Sequence, residues 1–224
     1  MVSTCSNMKH QGVFITLEGI DFSGKSTQAE RLVSRLEQEG YKPLFFREPG
    51  GTALSERVRE ILLNRGEIEI GARAELLLFL AARTQIVDEV ILPALQSGRI
   101  VVCDRFSDST FAYQGYARGL PLDTITELNA FTTSGLEPDL TLLYDLPVEI
   151  AQKRGNKVLS QHDRLENEDI DFHHRVREGY LELARNHPGR IVVVDAEGNP
   201  ELVWRHTWNH VNKYLEMHLI EPAE

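Results

Sequence analysis

The run Glu18–Thr27 (EGIDFSGKST) holds the residue types and spacing of a phosphate-binding loop. Gly19-Ile20-Asp21-Phe22-Ser23-Gly24-Lys25-Ser26 fits G-x-x-x-x-G-K-[ST], and it sits between an apolar strand pattern and a helical one. The glycines let the chain curl so that consecutive backbone N–H groups converge on one phosphate. The start of the following helix adds unpaired N–H donors and the positive end of its dipole. In such a loop Lys25 neutralises the β- and γ-phosphates of a nucleotide such as ATP, and the Ser26 hydroxyl ligates Mg2+. Gly19 through Thr27 are therefore the candidate ATP-binding residues. Phe22 is the odd member, an aromatic inside a loop built for an anion.

The elements that must hold this loop are legible in the alternation of the chain. Val13–Glu18, Lys42–Phe46, Ile100–Asp104, Asp139–Asp145 and Ile191–Asp195 are short, nearly continuous apolar runs of the kind buried on both faces of a sheet. Between them lie helical patterns: Ser26–Glu39, Ala72–Ser97, Leu122–Thr133, Asp169–Asn186 and Pro200–Leu219. In the long Ala72–Ser97 stretch, Leu76, Leu77, Leu80, Ile86 and Val90 mark a buried face, and Pro93 is expected to kink or break it. The alternation predicts an α/β fold, a doubly wound five-stranded parallel sheet flanked by helices. No repeat or inter-domain linker interrupts it. One domain is expected over 13–219, with a loose leader over 1–12 and a short tail over 220–224.

Composition excludes several classes. A formal net charge of −10 over 224 residues argues against a general nucleic-acid or membrane-surface binder. No apolar run is long enough to span a bilayer. The first twelve residues lack the apolar core of a secretory signal, and Met8 is an alternative start to Met1. Cys5 and Cys103 are too few for a disulfide framework, so a reducing, cytoplasmic setting is expected. His173 and His174 are adjacent and do not face one another on a helix, so they make a poor metal pair.

The phosphate loop alone does not separate a switch, a motor and a kinase. A guanine-reading Asn-Lys-x-Asp run is absent. The strand Ile100–Asp104 ends in Asp104-Arg105, where an arginine beside a carboxylate suits a second phosphate as well as a metal. That combination points to phosphoryl transfer between two nucleotides. Three further stretches complete a set: Arg47–Thr52 (REPGGT), Phe79–Arg83 (FLAAR) and Asp104–Gly115 (DRFSDSTFAYQG).

Together with EGIDFSGKST, these stretches closely resemble bacterial thymidylate kinases, from about Val13 to Leu215. The resemblance implies transfer of a phosphoryl group from ATP to dTMP with Mg2+, a P-loop kinase fold with a small mobile lid, and commonly a homodimer. It implies that Phe79 stacks on the thymine ring and Arg83 bonds a base carbonyl. The two lie four residues apart on one helix face; Phe79 taken alone reads as core, and only the resemblance reverses that. Thr110 and Gln114 would serve the base edge, and Tyr113 would press on the deoxyribose. Arg105, helped by Arg59, would bind the dTMP phosphate; a surface ion pair of Arg59 with Glu56 or Glu60 is the alternative. Asp21, Glu48 and Asp104 are the acidic candidates near the metal and the acceptor, with Ser26 and Asp104 on the metal side. Their order of importance is open.

In some members of this family an arginine stands in the loop one residue after the aspartate. Here that residue is Phe22, so the cation that stabilises the transferred charge must come from the lid, expected over 151–166. Lys153, Arg154, Lys157 and Arg164 are available. Arg154 is the expected catalytic cation, with Arg164 tied to Glu166 or Asp163.

Overall fold

The computed structural model describes residues 10–64, 69–157, 163–218 and 220. Most of the expected leader, residues 158–162 of the expected lid and nearly all of the tail lie outside them, as do Cys5 and Met8. Five parallel strands, β1 (Val13–Glu18), β2 (Leu44–Arg47), β3 (Ile100–Asp104), β4 (Leu140–Asp145) and β5 (Ile191–Asp195), form a sheet of order β2-β3-β1-β4-β5. Helices α1 (Lys25–Gln38), α2 (Ala53–Leu63), α3 (Ala72–Ile86), α4 (Leu92–Gln96), α5 (Ser107–Thr110), α6 (Leu122–Thr132), α7 (Val148–Gly155), α8 (Ile170–Asn186) and α9 (Pro200–Met217) connect and cover it. The predicted architecture is present.

The core follows the period of two along the central strands. Val13, Ile15 and Leu17 of β1 and Ile100 and Val102 of β3 join one apolar cluster with α1, α8 and α9. Phe14, Val101 and Cys103 face the other side, against Ile86, Val87, Ile91 and Leu95. The remaining residues on that second face of β1 are polar: Thr16 meets Thr141 (Oγ1–Oγ1 2.8 Å), and Glu18 is fully buried. In α1 the buried Ala29, Leu32 and Leu36 keep the expected three- and four-residue spacing.

Four expectations are corrected. The second strand begins at Leu44, not Lys42, because Pro43 has no N–H to give the ladder. It is an edge strand with alternating exposure, not one buried on both faces. The long helix does not break at Pro93. Val87–Ile91 widens into π-type turns, with the Leu92 N–H reaching Val87 O, and the chain stays helical through Ile91 and Leu92 into α4, which carries Pro93. Leu77, expected on the buried face, is 57 % exposed.

What matters for function is the C-terminal edge of the sheet. Register places Leu17 and Arg47 opposite Asp104, with Glu18 opposite Leu143. The connection leaving β1 runs to β2 on one side and the connection leaving β3 crosses to β4 on the other, so the crevice of a doubly wound sheet opens between the ends of β1 and β3.

Candidate active site

Gly19 to Gly24 curl between β1 and α1, with φ 140° at Gly19 and 91° at Gly24, angles at which a side chain would be strained. Lys25 opens α1 with its side chain buried. Its Nζ donates to Ile20 O (3.4 Å) and lies 3.8 Å from Asp21 Oδ1. Burial, and then the Arg105 guanidinium, push its pKa below the usual lysine value. Ser26 Oγ donates to Asp104 Oδ2 at 2.6 Å. The other oxygen, Asp104 Oδ1, is buried and has no hydrogen-bond partner among the described residues.

Next to this loop is a cavity of about 230 Å³, lined by Arg59, Phe79, Arg83, Arg105, Tyr113 and Gln114 among others, with Lys25, Ser26 and Asp104 on its donor side. In its lining, the buried Arg83 is held by Glu48 (Nε–Oε2 2.7 Å), Thr110 Oγ1 (2.6 Å), Asn129 Oδ1 (3.0 Å) and Phe106 O (3.0 Å). Burial raises the pKa of Glu48, against the pull of Arg83.

Arg105, also in the lining, has φ 74°, a left-handed conformation that a non-glycine residue keeps only when its surroundings enforce it. Its Nη2 donates to Asp21 Oδ1 (2.6 Å) and Tyr113 Oη (3.0 Å), and its Nη1 to Tyr180 Oη (3.0 Å). Tyr113 Oη in turn donates to Asp21 Oδ2 at 2.9 Å. Burial alone would raise the Asp21 pKa, but Arg105 and Lys25 outweigh it and hold the carboxyl well below its ordinary range. Behind Arg105, Glu18 accepts from Phe106 N (2.7 Å), Ser109 Oγ (2.7 Å) and Tyr180 Oη (2.8 Å), which fixes the backbone just after the strained residue. Burial, with Asp108 nearby, pushes the Glu18 pKa up to about 7.

This constellation can be compared with known proteins. The family model described as thymidylate kinase matches residues 17–206. The chain belongs to the thymidylate kinase family.

A thymidylate kinase of Kosmotoga olearia is 50 % identical over 191 residues, covering 85 % of this chain and 91 % of the relative. One from a Synechococcus strain is 49 % identical, covering 92 % and 97 %. The crystal structure of the Ehrlichia chaffeensis thymidylate kinase superposes with a TM-score of 0.73 at 33 % identity, over 90 % of this chain and 98 % of that one.

Within this thymidylate kinase fold, most of the expected site residues come together. Lys25, Ser26, Asp21, Glu48, Asp104, Arg105, Arg59, Phe79, Arg83, Thr110, Tyr113 and Gln114 all border one cavity. Phe79 is both a cavity wall and a half-buried member of the core. Ile20 is buried in the core, so what it offers the donor is backbone. Arg59 donates to Pro49 O at 2.9 Å; Glu56 is taken by Arg47 and Gly51 N, and Glu60 by Arg57. Thr110 Oγ1 accepts from Arg83 Nη1 at 2.6 Å, so its hydroxyl is engaged with that arginine.

The lid cations differ from expectation. Arg164 is not tied to Glu166 or Asp163. It donates to Glu75 Oε2 (2.6 Å) and Leu62 O (2.9 Å), while Glu166 accepts from the Asp163 N–H. Arg154, at the end of α7, reaches Ala196 O (2.9 Å) and Ser23 O (3.5 Å), which places it against the phosphate loop and outside the acceptor cavity.

Sequence reasoning missed Glu18, Glu75, Ser109, Asn129 and Tyr180. Glu18 had a signal, an acid closing a strand whose other residues are almost all apolar. Tyr180 had none, since a tyrosine in an amphipathic helix is ordinary.

Proposed function

We propose that this chain phosphorylates dTMP to dTDP with ATP as donor, by direct in-line transfer. The observation that supports the reading is that Arg83, Arg105, Lys25 and Ser26 all line one cavity; we assign Arg83 to the base and Arg105 to the acceptor phosphate. The backbone N–H groups of the loop and Lys25 hold the donor phosphates. Arg83 and Gln114 orient the base, and Phe79 covers one of its faces. Arg105 offers paired N–H donors to the acceptor phosphate, assisted by Arg59. Tyr113 crowds the position where a ribonucleotide would carry its 2′-hydroxyl. No covalent enzyme intermediate is needed, because the acceptor is already anionic and catalysis is positioning plus charge neutralisation.

Ser26 and Asp104 fit a bound magnesium ion. A hydroxyl and a carboxylate lie 2.6 Å apart, and the second carboxylate oxygen is left unpaired among the described residues. Magnesium there would neutralise charge on the β- and γ-phosphates. Arg154, beside the Ser23 carbonyl, is our candidate for the cation that meets the transferred group as the lid closes.

We further propose a homodimer formed through α3. Leu77 on α3, Leu54 and Ile61 on α2, and Phe131 on α6 are large exposed apolar side chains on helices that pack together. A cytoplasmic setting suits both substrates; no helix among the described residues is long and apolar enough to cross a membrane.

A coupled assay with dTMP, dUMP, dCMP, AMP and thymidine as acceptors tests the reading. dTMP is expected to have the highest kcat/KM, and preference for a free nucleoside would overturn it.

A further inference from the structure

Glu75 is fully buried on α3, one helical turn before Phe79, and does not line the cavity. Four hydrogen bonds converge on its carboxylate. Gln114 Nε2 donates at 2.9 Å, Arg118 Nε and Nη2 at 3.2 and 3.1 Å, and Arg164 Nη2 at 2.6 Å. Arg118 also binds Glu168 at 2.5 Å, so the carboxylate ties α3 to the segment on either side of Arg164. We propose that Glu75 is a positioning residue that sets base specificity, by locking the Gln114 amide with its oxygen toward the acceptor cavity.

An ionised carboxylate only accepts hydrogen bonds, so the end of the amide that faces it must be the NH2. Burial would favour the protonated form, but the bonds from Arg118 and Gln114 outweigh it and keep the Glu75 pKa below its ordinary value. The Gln114 oxygen is then left for the cavity. Arg83 supplies the complementary partner: its contacts with Glu48, Thr110, Asn129 and Phe106 use all of its N–H groups except one on Nη2. One donor next to one acceptor matches a base edge with a carbonyl beside an N–H, as in thymine. Cytosine presents an amino group beside a bare ring nitrogen, the reverse polarity, and would leave buried groups on both sides unpaired.

This inference rests on the dTMP kinase reading, and the test separates the two. The kcat/KM values for dTMP and dCMP, with thermal unfolding alongside, are measured for the parent, Glu75→Gln, Glu75→Asp, Gln114→Ala and Glu75→Gln/Gln114→Ala. A glutamine at position 75 can donate as well as accept, so the Gln114 amide is free to turn over. An aspartate withdraws the carboxylate by one methylene and keeps the charge between Arg118 and Arg164. The expected result for Glu75→Gln is a fall of at least about tenfold in the dTMP:dCMP ratio, carried mainly by KM for dTMP. In the Gln114→Ala background the same substitution should leave the ratio unchanged. If Glu75→Gln does not fold, Glu75→Asp decides the matter through a smaller shift in the same direction. Proportional loss for both substrates, or an equal ratio shift without Gln114, overturns the inference. A parent enzyme that does not use dTMP overturns the functional reading instead.

Discussion

Arg105 Nη2 and Asp21 Oδ1 lie 2.6 Å apart, so the arginine that follows β3 is paired with a carboxylate of the phosphate loop. In the role proposed for Arg105, an incoming acceptor phosphate would share or take over that guanidinium. The pair would then link occupancy of the acceptor site to the loop proposed to hold ATP.

Arg105→Lys keeps the charge and loses the planar fork that spans Asp21, Tyr113 and Tyr180. We expect kcat/KM for dTMP to fall by about a hundredfold while the KM for ATP changes little. Steady-state kinetics with each substrate varied in turn will show it, and an unchanged kcat/KM would remove Arg105 from the acceptor site.

Glu18 gives a pH signature. Its pKa is near 7 in the folded protein because burial, with Asp108 nearby, disfavours its charge, against an ordinary value of 4.5. Between those values the folded state holds a proton that the unfolded state has released, so stability falls as pH rises from about 4.5 to about 7. In Glu18→Gln this contribution is absent, and the decline in Tm over that range should flatten. Thermal unfolding at closely spaced pH values is the measurement; parallel curves for parent and variant would refute it.

Phe22 takes a role that its chemistry did not announce. Its ring lies against Gly155, where an added Cβ would come within 2.8–3.1 Å of it. Gly155→Ala should therefore strain the junction of the phosphate loop and α7, costing about 1–3 kcal/mol of stability and raising the KM for ATP. Combining it with Phe22→Leu should recover much of both. Absence of rescue would show that the contact is incidental.

Arg154→Ala removes the link from α7 to Ser23 O and Ala196 O. We expect turnover to fall by about ten- to a hundredfold, with dTMP affinity nearly unchanged. Equal kcat in variant and parent would take Arg154 out of the mechanism.

Leu77→Glu places a charge at an exposed apolar side chain of α3, where the dimer contact is proposed. Sedimentation velocity should show the parent as a dimer and the variant shifted toward monomer. A parent that sediments as a monomer would discard the interface.

Some of this molecule could be read from the chain alone. The donor loop could, because its function lies in the backbone of one short stretch, Gly19 to Ser26, between a strand and a helix that each announce themselves by period. That Phe79, Arg83, Asp104 and Arg105 would gather at one cavity could, because Phe79 and Arg83 share a helix face and Asp104-Arg105 closes a strand. The sheet could, since β1, β3, β4 and β5 are apolar runs with little ambiguity, whereas the start of β2 was displaced by Pro43.

What only tertiary structure decided are the pairings between distant segments. Glu18 meets Tyr180, and Glu75 meets Gln114, Arg118 and Arg164. Arg154 turns to the phosphate loop while Arg164 is held by α3. Leu77 fits the buried period of its helix and yet faces outward. Periodicity says which face of an element is apolar, but it carries no record of which other element arrives there. A buried carboxylate takes whatever donors the packing brings to it, and that choice is made when the helices close on the sheet.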